Sequence, residues 1–319
     1  MKRTIICEML GIKYPILQGG MGFIASAELA VAVSNAGGLG IISPTGACDV
    51  DETTPGNLRR QIKKAKSLTD KPVGVNISLE LIEHAREEID VALEEKISVF
   101  TVGAGSPAVL TKYIKQRGAR VLHVIGSVKH ARKAESEGVD GVIASGVEAG
   151  GLLGPYELTT MTLIPQVMEA VKIPVIAAGG IGNGRCLAAA LMLGAAGVQI
   201  GTLFVATHEC PAHTKFKELI VEAEDADTVV TGRRSGAARV LKNKLAKEIL
   251  EMEASGAPSE EIAAFIGRGR GRMGVLDGDL ETGSLWAGQV VGMIKEIRSV
   301  AEVMQSLVDD CDAALDNFK

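Results

Sequence analysis

The sequence predicts a (β/α)₈ barrel, the TIM-barrel fold, with a small and mainly helical insert after the eighth strand. Short apolar runs recur, each bounded by turn residues and followed by a stretch of helical periodicity, as is typical of parallel strands buried on both faces. About eight such runs occur, which is the strand number of the barrel. The 319 residues exceed the roughly 250 that such a barrel takes, so there is room for an appendage.

The positions of the runs define the predicted elements. The predicted strands are 15–18, 39–43, 72–77, 97–102, 120–125, 140–144, 174–178 and 197–201. The predicted helices between them are 27–35, 58–68, 80–94, 108–117, 128–137, 163–171 and 186–193. A doubly wound open sheet would also alternate in this way, but its dinucleotide fingerprint should follow the first strand. The glycines at 19–22 are too closely spaced for that fingerprint, which favours the closed barrel.

After the eighth strand the sequence changes to charged segments of helical periodicity. We expect a barrel over 1–206, a helical insert that acts as a lid over 207–273, and C-terminal helices over 274–319 that return to the barrel. The insert is rich in charged residues and contains alternating glycines and arginines at 267–272. That run is interpreted either as a solvated loop or as a contact with an anionic cofactor or carrier.

Composition excludes several classes of protein. The net charge is −5 and the basic residues are scattered, unlike the concentrated positive surface that nucleic acids require. No stretch reaches the roughly 20 apolar residues of a membrane span, and the N-terminal apolar run is too short for a signal peptide. The five cysteines lie far apart, which argues against a zinc cluster or a disulfide framework. We therefore expect a cytoplasmic enzyme or binding protein without a bound metal.

Glycine-rich loops after the last two predicted strands indicate a phosphate site. Gly179 and Gly180 follow the seventh strand directly before a helix, where exposed amides and the helix dipole favour an anion. Gly201 and Thr202 end the eighth strand and add an amide and a hydroxyl. Loops in these two positions are the usual phosphate site of the barrel. The alternative is that the glycines serve only tight turns.

Other candidates lie at the ends of earlier strands. Gln18 precedes the glycines of the first loop, where amides can face a planar ring, and Asn76 lies at the tip of the third strand, either as a site residue or as a turn former. The loop at 146–154 is again rich in glycine. Tyr156, just beyond it, either donates a proton or packs the loop. The five histidines show no metal spacing, and each is interpreted as structural.

These motifs, taken in order, carry a family resemblance. The motifs are 18–21, 36–40, 74–76, 148–151, 178–181, 198–202 and 287–289. Together they span nearly the whole chain, and the sequence resembles the family of nitronate monooxygenases (2-nitropropane dioxygenase-like) and flavin-dependent enoyl-acyl-carrier-protein reductases. The resemblance implies a barrel that binds flavin mononucleotide (FMN), with NADH or NADPH as electron donor.

The resemblance also implies site residues. The expected cofactor-binding residues are Gln18, Gly20, Met21, Asn76, Ala149, Gly150, Gly151, Gly179, Gly180, Gly201, Thr202, Trp286, Ala287 and Gln289. The residues at 20–21 would lie against the flavin ring, Asn76 at its polar edge, and the pair at 150–151 beside the ribityl chain. The residues at 179–180 and 201–202 would hold the phosphate, and those at 286–289 would close over the cofactor.

The sequence departs from the family at one chemically important position. Leu152 stands where both branches of the family usually carry a histidine, and leucine cannot accept a proton. A lysine typical of the monooxygenase branch is also missing after the fifth strand, where the residues at 123–125 are His, Val and Ile. Monooxygenase activity is thus disfavoured, and the leading hypothesis is NAD(P)H-dependent reduction of an activated alkene, such as an enoyl thioester, with solvent or Tyr156 as proton donor.

Two alternative functions stay open. One is an oxidase that acts on preformed nitroalkane anions, and the other is a flavin-binding protein with vestigial catalysis that acts through a partner. The expected substrate is a small molecule or an acyl thioester, and the resemblance is compatible with a homodimer.

Overall fold

Eight parallel strands form a closed barrel in the computed structural model, which describes residues 3–49, 53–79, 82–234 and 236–317. The barrel strands are β1 (Ile16–Gln18), β2 (Gly40–Ile42), β3 (Val73–Ser78), β4 (Val99–Gly103), β5 (Arg120–Ile125), β6 (Gly141–Ser145), β8 (Val175–Ala178) and β9 (Gly197–Ile200). Their order is β1, β9, β8, β6, β5, β4, β3, β2, and a parallel bridge between Leu17 and Leu39 joins the first to the last. The predicted TIM barrel is confirmed.

Each predicted strand lies within two residues of an observed one at either end. The agreement has a simple cause, because strands covered by helices outside and by side chains inside must be apolar throughout. The β6 strand, for example, is buried from Gly141 to Ala144.

Helices cover the outside of the barrel, close its N-terminal end and form part of the insert. They are α1 (Ile5–Leu10), α2 (Ala27–Asn35), α3 (Thr54–Leu68), α4 (Ile82–Glu94), α5 (Thr111–Lys115), α6 (Val128–Ser136), α7 (Thr160–Ala170), α8 (Gly184–Met192), α9 (Thr202–Val205), α10 (Thr214–Glu222), α11 (Lys244–Ala254), α12 (Ser259–Ile266), α13 (Arg270–Val275) and α14 (Val300–Asp316). The helix predicted over 108–117 is shorter in the structure, because its first residues form turns. Residues 80 and 81 of another predicted helix lie outside the described residues. Within the described ranges, no helix is long and apolar enough to cross a bilayer.

The last helix completes the outer ring. It begins with a capping box in which Ser299 accepts from the Glu302 amide and the Glu302 carboxylate accepts from Ser299, an arrangement that satisfies unpaired amides of the first turn. Its apolar side packs against α8 and α2, so α14 occupies the place of the eighth barrel helix. The chain therefore completes the outer ring of helices only after it has passed through the insert.

The N-terminal end of the barrel is blocked by α1. Ile6, Cys7 and Leu10 are buried with the interior side chains of the strands, such as Leu17 and Leu122, in one apolar cluster. The hydroxyl of Thr4 donates to the carbonyl of Ala196, which directly precedes β9. The interior is therefore packed at this end, and a ligand site can open only at the other.

The insert contains a β-hairpin besides its helices. Strands β10 (Thr228–Thr231) and β11 (Ala238–Leu241) pair antiparallel, and β11 also pairs with the two-residue strand β7 (Gly151–Leu152) of the loop after β6. The sequence analysis did not predict this hairpin, because four-residue strands in charged sequence give little periodicity. The proposed boundaries at 206/207 and 273/274 remain predictions, and α13 spans the second of them.

We expect that Gly184→Ala destabilises the protein by about 1 to 3 kcal/mol, the usual cost of an overpacked contact. A methyl at Gly184 in α8 would lie 2.4 Å from Cβ of Asp310 and 2.5 Å from the backbone nitrogen of Cys311, so α14 would have to shift. Denaturant unfolding measures the change. The control is Gly56→Ala in the first turn of α3, where the nearest atom is a flexible hydroxyl at 3.0 Å, and a Gly184 variant as stable as this control would contradict the packing argument.

Candidate active site

The carboxyl ends of the barrel strands surround a cavity of about 890 Å³. Every strand contributes to its wall, either with residues of its carboxyl end or through the loop that follows it, which is the arrangement of active sites in this fold. The lining includes 19–24, 43–45, Asn76, Ser78, 103–107, 123–126, Ser145, 148–155, 178–181, 199–202, Trp286 and Gly288. Most of the predicted site residues therefore line one cavity.

The loops after β8 and β9 form a cradle of free backbone amides. Gly179 has a φ of +88° and Gly180 a φ of +75°, a left-handed conformation that glycine adopts without strain. Among the described residues, the amides of Gly179, Gly180 and Gly201 donate to no backbone acceptor. Polar backbone groups at such positions need a partner from solvent or ligand, and consecutive free amides suit a phosphate. The two predicted phosphate loops lie side by side, as expected.

The segment at 286–289 docks onto this cradle through close backbone contacts. The Gly288 amide donates to Oγ1 of Thr202 at 2.9 Å, and the Gln289 amide donates to the carbonyl of Glu148 at 2.9 Å. A Cβ on Gly150 would lie 2.6 Å from the carbonyl carbon of Ala287, so only glycine permits the approach. Ala287 is buried behind the wall and Gln289 is exposed outside it. Neither of them lines the cavity, whereas Trp286 does.

Gly20 and Asn76 are in direct contact across the first and third loops. A Cβ on Gly20 would lie 2.2 Å from Cγ of Asn76, so glycine is required here too. Oδ1 of Asn76 accepts from the buried hydroxyl of Thr101 at 2.9 Å, which orients the amide and leaves its Nδ2 as a donor. Asn76 lies within β3, so the turn-forming interpretation is wrong. Met21 lines the cavity next to this pair.

Gln18 does not line the cavity. Its side chain is fully buried, with Nε2 donating to the carbonyl of Ile41 at 2.9 Å and Oε1 accepting from the Ile41 amide at 3.3 Å. These two hydrogen bonds link β1 to β2, which otherwise share only a short stretch of backbone pairing. The glutamine therefore closes the barrel beneath the site, a role that its position at a strand end did not reveal.

A carboxylate holds the glycine loop after β6. Both oxygens of Glu148 accept from the Thr160 amide, at 2.9 and 3.0 Å, and the Thr160 hydroxyl lies 3.0 Å from the same carboxylate. From the insert, Nε of the buried Arg239 donates to the carbonyl of Val147 at 2.9 Å. Ala149, Gly150 and Gly151 line the cavity from this braced loop.

The sequence analysis singled out none of the residues that brace this loop. An acidic residue inside a glycine-rich loop was the available signal for Glu148. No local pattern pointed to Arg239, because its partner Val147 is 92 residues away.

The two residues considered for proton transfer occupy different places. Leu152 lies in β7 and lines the cavity, with no group that can bind a proton. Tyr156 is 53% exposed and is not part of the cavity wall. Its ring lies 6.4 Å from that of His130, at the rim of the site.

His123 is a cavity residue that the sequence analysis interpreted as structural. The side chain is 2% exposed and lies in β5. Its Nε2 is 3.1 Å from the carbonyl of Gly105, and its buried Nδ1 has no hydrogen-bond partner among the described residues. Burial lowers the pKa of this imidazole, because the charged form loses its hydration.

Two aromatic rings cover part of the mouth. Phe23 and Trp286 stack with centroids 6.3 Å apart at 15°. A Cβ on Gly271 of α13 would lie 2.4 Å from the indole, so the insert backbone rests directly on Trp286. The insert thus contributes to the cover of the cavity without lining its floor.

The fold and the site define a (β/α)₈ enzyme whose mouth carries a cradle of glycine loops with free backbone amides. The chain belongs to the nitronate monooxygenase family, whose model matches residues 3–88 and 78–310. The structure of FabK from Thermotoga maritima is 42% identical with a TM-score of 0.92, covering 100% of this chain and 99% of that one. The nitroalkane oxidase of Streptomyces ansochromogenes is 28% identical with a TM-score of 0.79, covering 96% and 98%.

A curated relative extends this comparison to coenzyme A chemistry. The (3aS,4S,5R,7aS)-5-hydroxy-7a-methyl-1-oxo-octahydro-1H-indene-4-carboxyl-CoA dehydrogenase of Mycobacterium tuberculosis is 35% identical, covering 97% of this chain and 96% of the relative. Because these relatives are oxidoreductases and the family depends on flavin, this chain is an oxidoreductase of a flavin-dependent family.

We expect His123 to make the protein less stable in acid. Its folded pKa lies below the ordinary value, so as pH falls below about 6.5 the unfolded chain takes up a proton that the folded chain resists. The His123→Gln variant should lose less stability than wild type between about pH 7.5 and about pH 5.5. Thermal unfolding at both pH values measures this. His84→Gln, which removes an exposed imidazole from α4, is the control, and equal behaviour of the two variants would contradict the assignment.

Proposed function

We propose that this chain binds FMN and catalyses the NADH- or NADPH-dependent reduction of an activated alkene such as an enoyl thioester. The observation that carries the proposal is the pair of glycine loops whose free amides meet at one end of an 890 Å³ cavity. The 42% identity to FabK, an enoyl reductase, supports the choice of reaction. In the reaction one hydride and one proton add across the carbon–carbon double bond.

The residues present fit the cofactor. We propose that the amides of Gly179, Gly180 and Gly201, together with Thr202, hold its phosphate, because all of them adjoin the cavity where donors are unpaired. FMN would supply hydride acceptance and donation at its ring, a chemistry that protein side chains lack. Holding the ring in place is then the main task of the protein.

The ring itself would lie between the first loop and the loop after β6. Gly20 offers bare backbone on one side, and Nδ2 of Asn76 offers a donor to a polar edge. Gly150 and Gly151 allow close approach of a ribityl chain on the other side. Trp286 closes the site, while Ala287 and Gln289 act indirectly by fixing the closing segment.

The presence of Leu152 supports alkene reduction over proton abstraction from neutral nitroalkanes. A leucine on the cavity wall cannot take the acidic proton. Reduction of an alkene is less demanding, because its proton is consumed and can come from solvent. Tyr156, exposed at the rim, would have to turn inward to donate it.

We expect anaerobic NADH or NADPH to bleach the flavin absorbance of the purified protein, and crotonyl-CoA to restore it. Both halves of the proposed reaction would change the flavin absorbance, so stopped-flow spectroscopy can follow them in one experiment. Ethyl nitronate mixed with the oxidised protein under air serves as the comparison. If neither nicotinamide bleaches the flavin while the nitronate drives oxygen uptake, the protein is instead an oxidase of preformed anions. If nothing reacts, the vestigial alternative gains.

We expect that Gly201→Ala weakens FMN binding by roughly tenfold or more while riboflavin binding changes little. A methyl at Gly201 meets no atom closer than 3.6 Å, so the fold tolerates it, but the methyl crowds the place proposed for the phosphate. Losing a hydrogen bond to a charged group costs about 1.5 to 3 kcal/mol, and riboflavin carries no phosphate.

Flavin fluorescence titration measures both affinities. Gly103→Ala adds a methyl with equal room, 3.6 Å from Val124, on the opposite wall at β4, and it should leave the ratio of the two affinities unchanged. A Gly201 variant that binds FMN and riboflavin with the wild-type ratio would place the phosphate elsewhere.

A further inference from the structure

One part of the cavity wall, which we call the apolar strip, is built from glycine and apolar residues. It comes from the carboxyl ends of β4 and β5 and from the loop after β6, and its members are Gly103, Val124, Gly126, Leu152, Leu153, Gly154 and Pro155. A Cβ on Gly103 would lie 3.6 Å from Val124, and a Cβ on Gly126 would lie 3.0 Å from Cα of Gly154. The strip is therefore continuous from the strand ends to the loop.

The strip lies apart from the cradle of free amides. In the barrel order β5 is three strands from β9, so the strip and the place proposed for the phosphate are on different sides of the cavity. At its outer end Pro155 is exposed, whereas Val124 at its inner end is half-buried. A ligand along the strip would thus run from the floor of the cavity towards its rim.

Leu152 is the side chain of the strip that a ligand can cover most. It exposes 47% of its surface, and among the described residues it is the one exposed large apolar side chain that lines the cavity, since others, such as Met161, lie elsewhere. Its backbone pairs with Ala238, and the Leu153 amide donates to the carbonyl of Ala237 at 2.8 Å. A fixed backbone thus presents an apolar surface to the cavity, and removing such a surface from water stabilises a complex.

The chemistry of the strip selects among the parts of the proposed reactants. A polar group moved against it would lose water without gaining a side-chain partner, which is costly. A nicotinamide dinucleotide and the carrier of a thioester both have amide or hydroxyl groups that need partners. The part of the reactants that needs none is the hydrocarbon chain attached to the alkene.

We propose that the apolar strip binds the acyl chain of the alkene substrate, and that Leu152 makes the protein select long chains over short ones. This inference rests on the proposed function for the identity of the reaction. Leucine at this position then has a positive role, because it extends the hydrocarbon surface along which the chain lies. With the chain directed towards Pro155, the alkene end of the substrate would stay at the floor of the cavity.

The test compares the N-acetylcysteamine thioesters of crotonate and 2-octenoate, which differ only in chain length. Each buried methylene is worth about 0.8 kcal/mol, or about fourfold, so partial burial of the longer chain should raise kcat/KM by about tenfold or more. Leu152→Asn, which keeps a similar shape but adds polar atoms, should reduce this ratio to about threefold or less, mainly through KM for the octenoyl probe. Met161→Asn in α7, at an exposed position outside the cavity wall, is the control and should keep the wild-type ratio.

A second measurement does not depend on turnover. The saturated butyryl and octanoyl thioesters of N-acetylcysteamine are titrated calorimetrically into wild-type protein supplied with FMN. The octanoyl probe should bind about tenfold tighter or more, with the more negative heat-capacity change that accompanies burial of apolar surface. Both differences should shrink in the Leu152→Asn variant and persist in the Met161→Asn variant.

The outcomes separate this inference from the proposed reaction. Wild-type protein that binds both chain lengths equally, or a Leu152 variant that keeps the wild-type ratio, overturns the inference. It is also overturned if Leu152→Asn weakens FMN and both thioesters alike, because the strip would then cover the flavin. If wild type reduces neither alkene but still binds the longer chain more tightly through Leu152, the reaction is wrong and the apolar strip stands.

Discussion

The carboxylate of Glu148 is the contact on which the rest of the site depends. It caps α7 through Thr160, while the carbonyl of the same residue receives the Gln289 amide. One residue thus joins the glycine loop after β6 to a barrel helix and to the segment that covers the mouth. Arg239 adds a bond from the insert to the neighbouring carbonyl of Val147. A loop of small residues, which would otherwise be mobile, is held from three directions, and the cavity wall can keep its shape without bulky side chains.

Much of the fold could be predicted from the sequence, since a strand covered on both faces shows itself as an apolar run whatever its neighbours are. The glycine loops after β8 and β9 could also be located from the sequence, because a glycine pair between a strand and a helix is a local signal. The hairpin of the insert was not, since its pairing with Gly151 and Leu152 joins segments about 87 residues apart. Gln18 was placed at the mouth because strand ends suggest a site. Its side chain instead satisfies the backbone of Ile41, and only the three-dimensional neighbourhood could reveal that.

Two positions, Leu152 and His123, determine which imidazole chemistry is available at the site. Leu152 contributes an apolar surface where the family pattern leads one to expect a histidine. On the neighbouring wall, the buried Nδ1 of His123 has no hydrogen-bond partner among the described residues. A neutral imidazole fixed by Gly105 can receive a hydrogen bond but resists becoming a cation. Such an imidazole is poorly suited to removing a proton from carbon, because that step would leave a buried cation. Whether a histidine in a strand has a functional role depends on what its second ring nitrogen contacts, and the sequence alone does not reveal that contact.

The short helix α1 determines by which end of the barrel a ligand can enter the cavity. Ile6, Cys7 and Leu10 seal the lower end of the barrel, so the described residues leave no entrance to the cavity from that end. Under the proposed function, the electron donor and the alkene would both enter at the mouth. Reactants that used the same part of the cavity would then have to bind one after the other. This constraint on binding follows from the six residues of α1, at the opposite end of the barrel from the cavity.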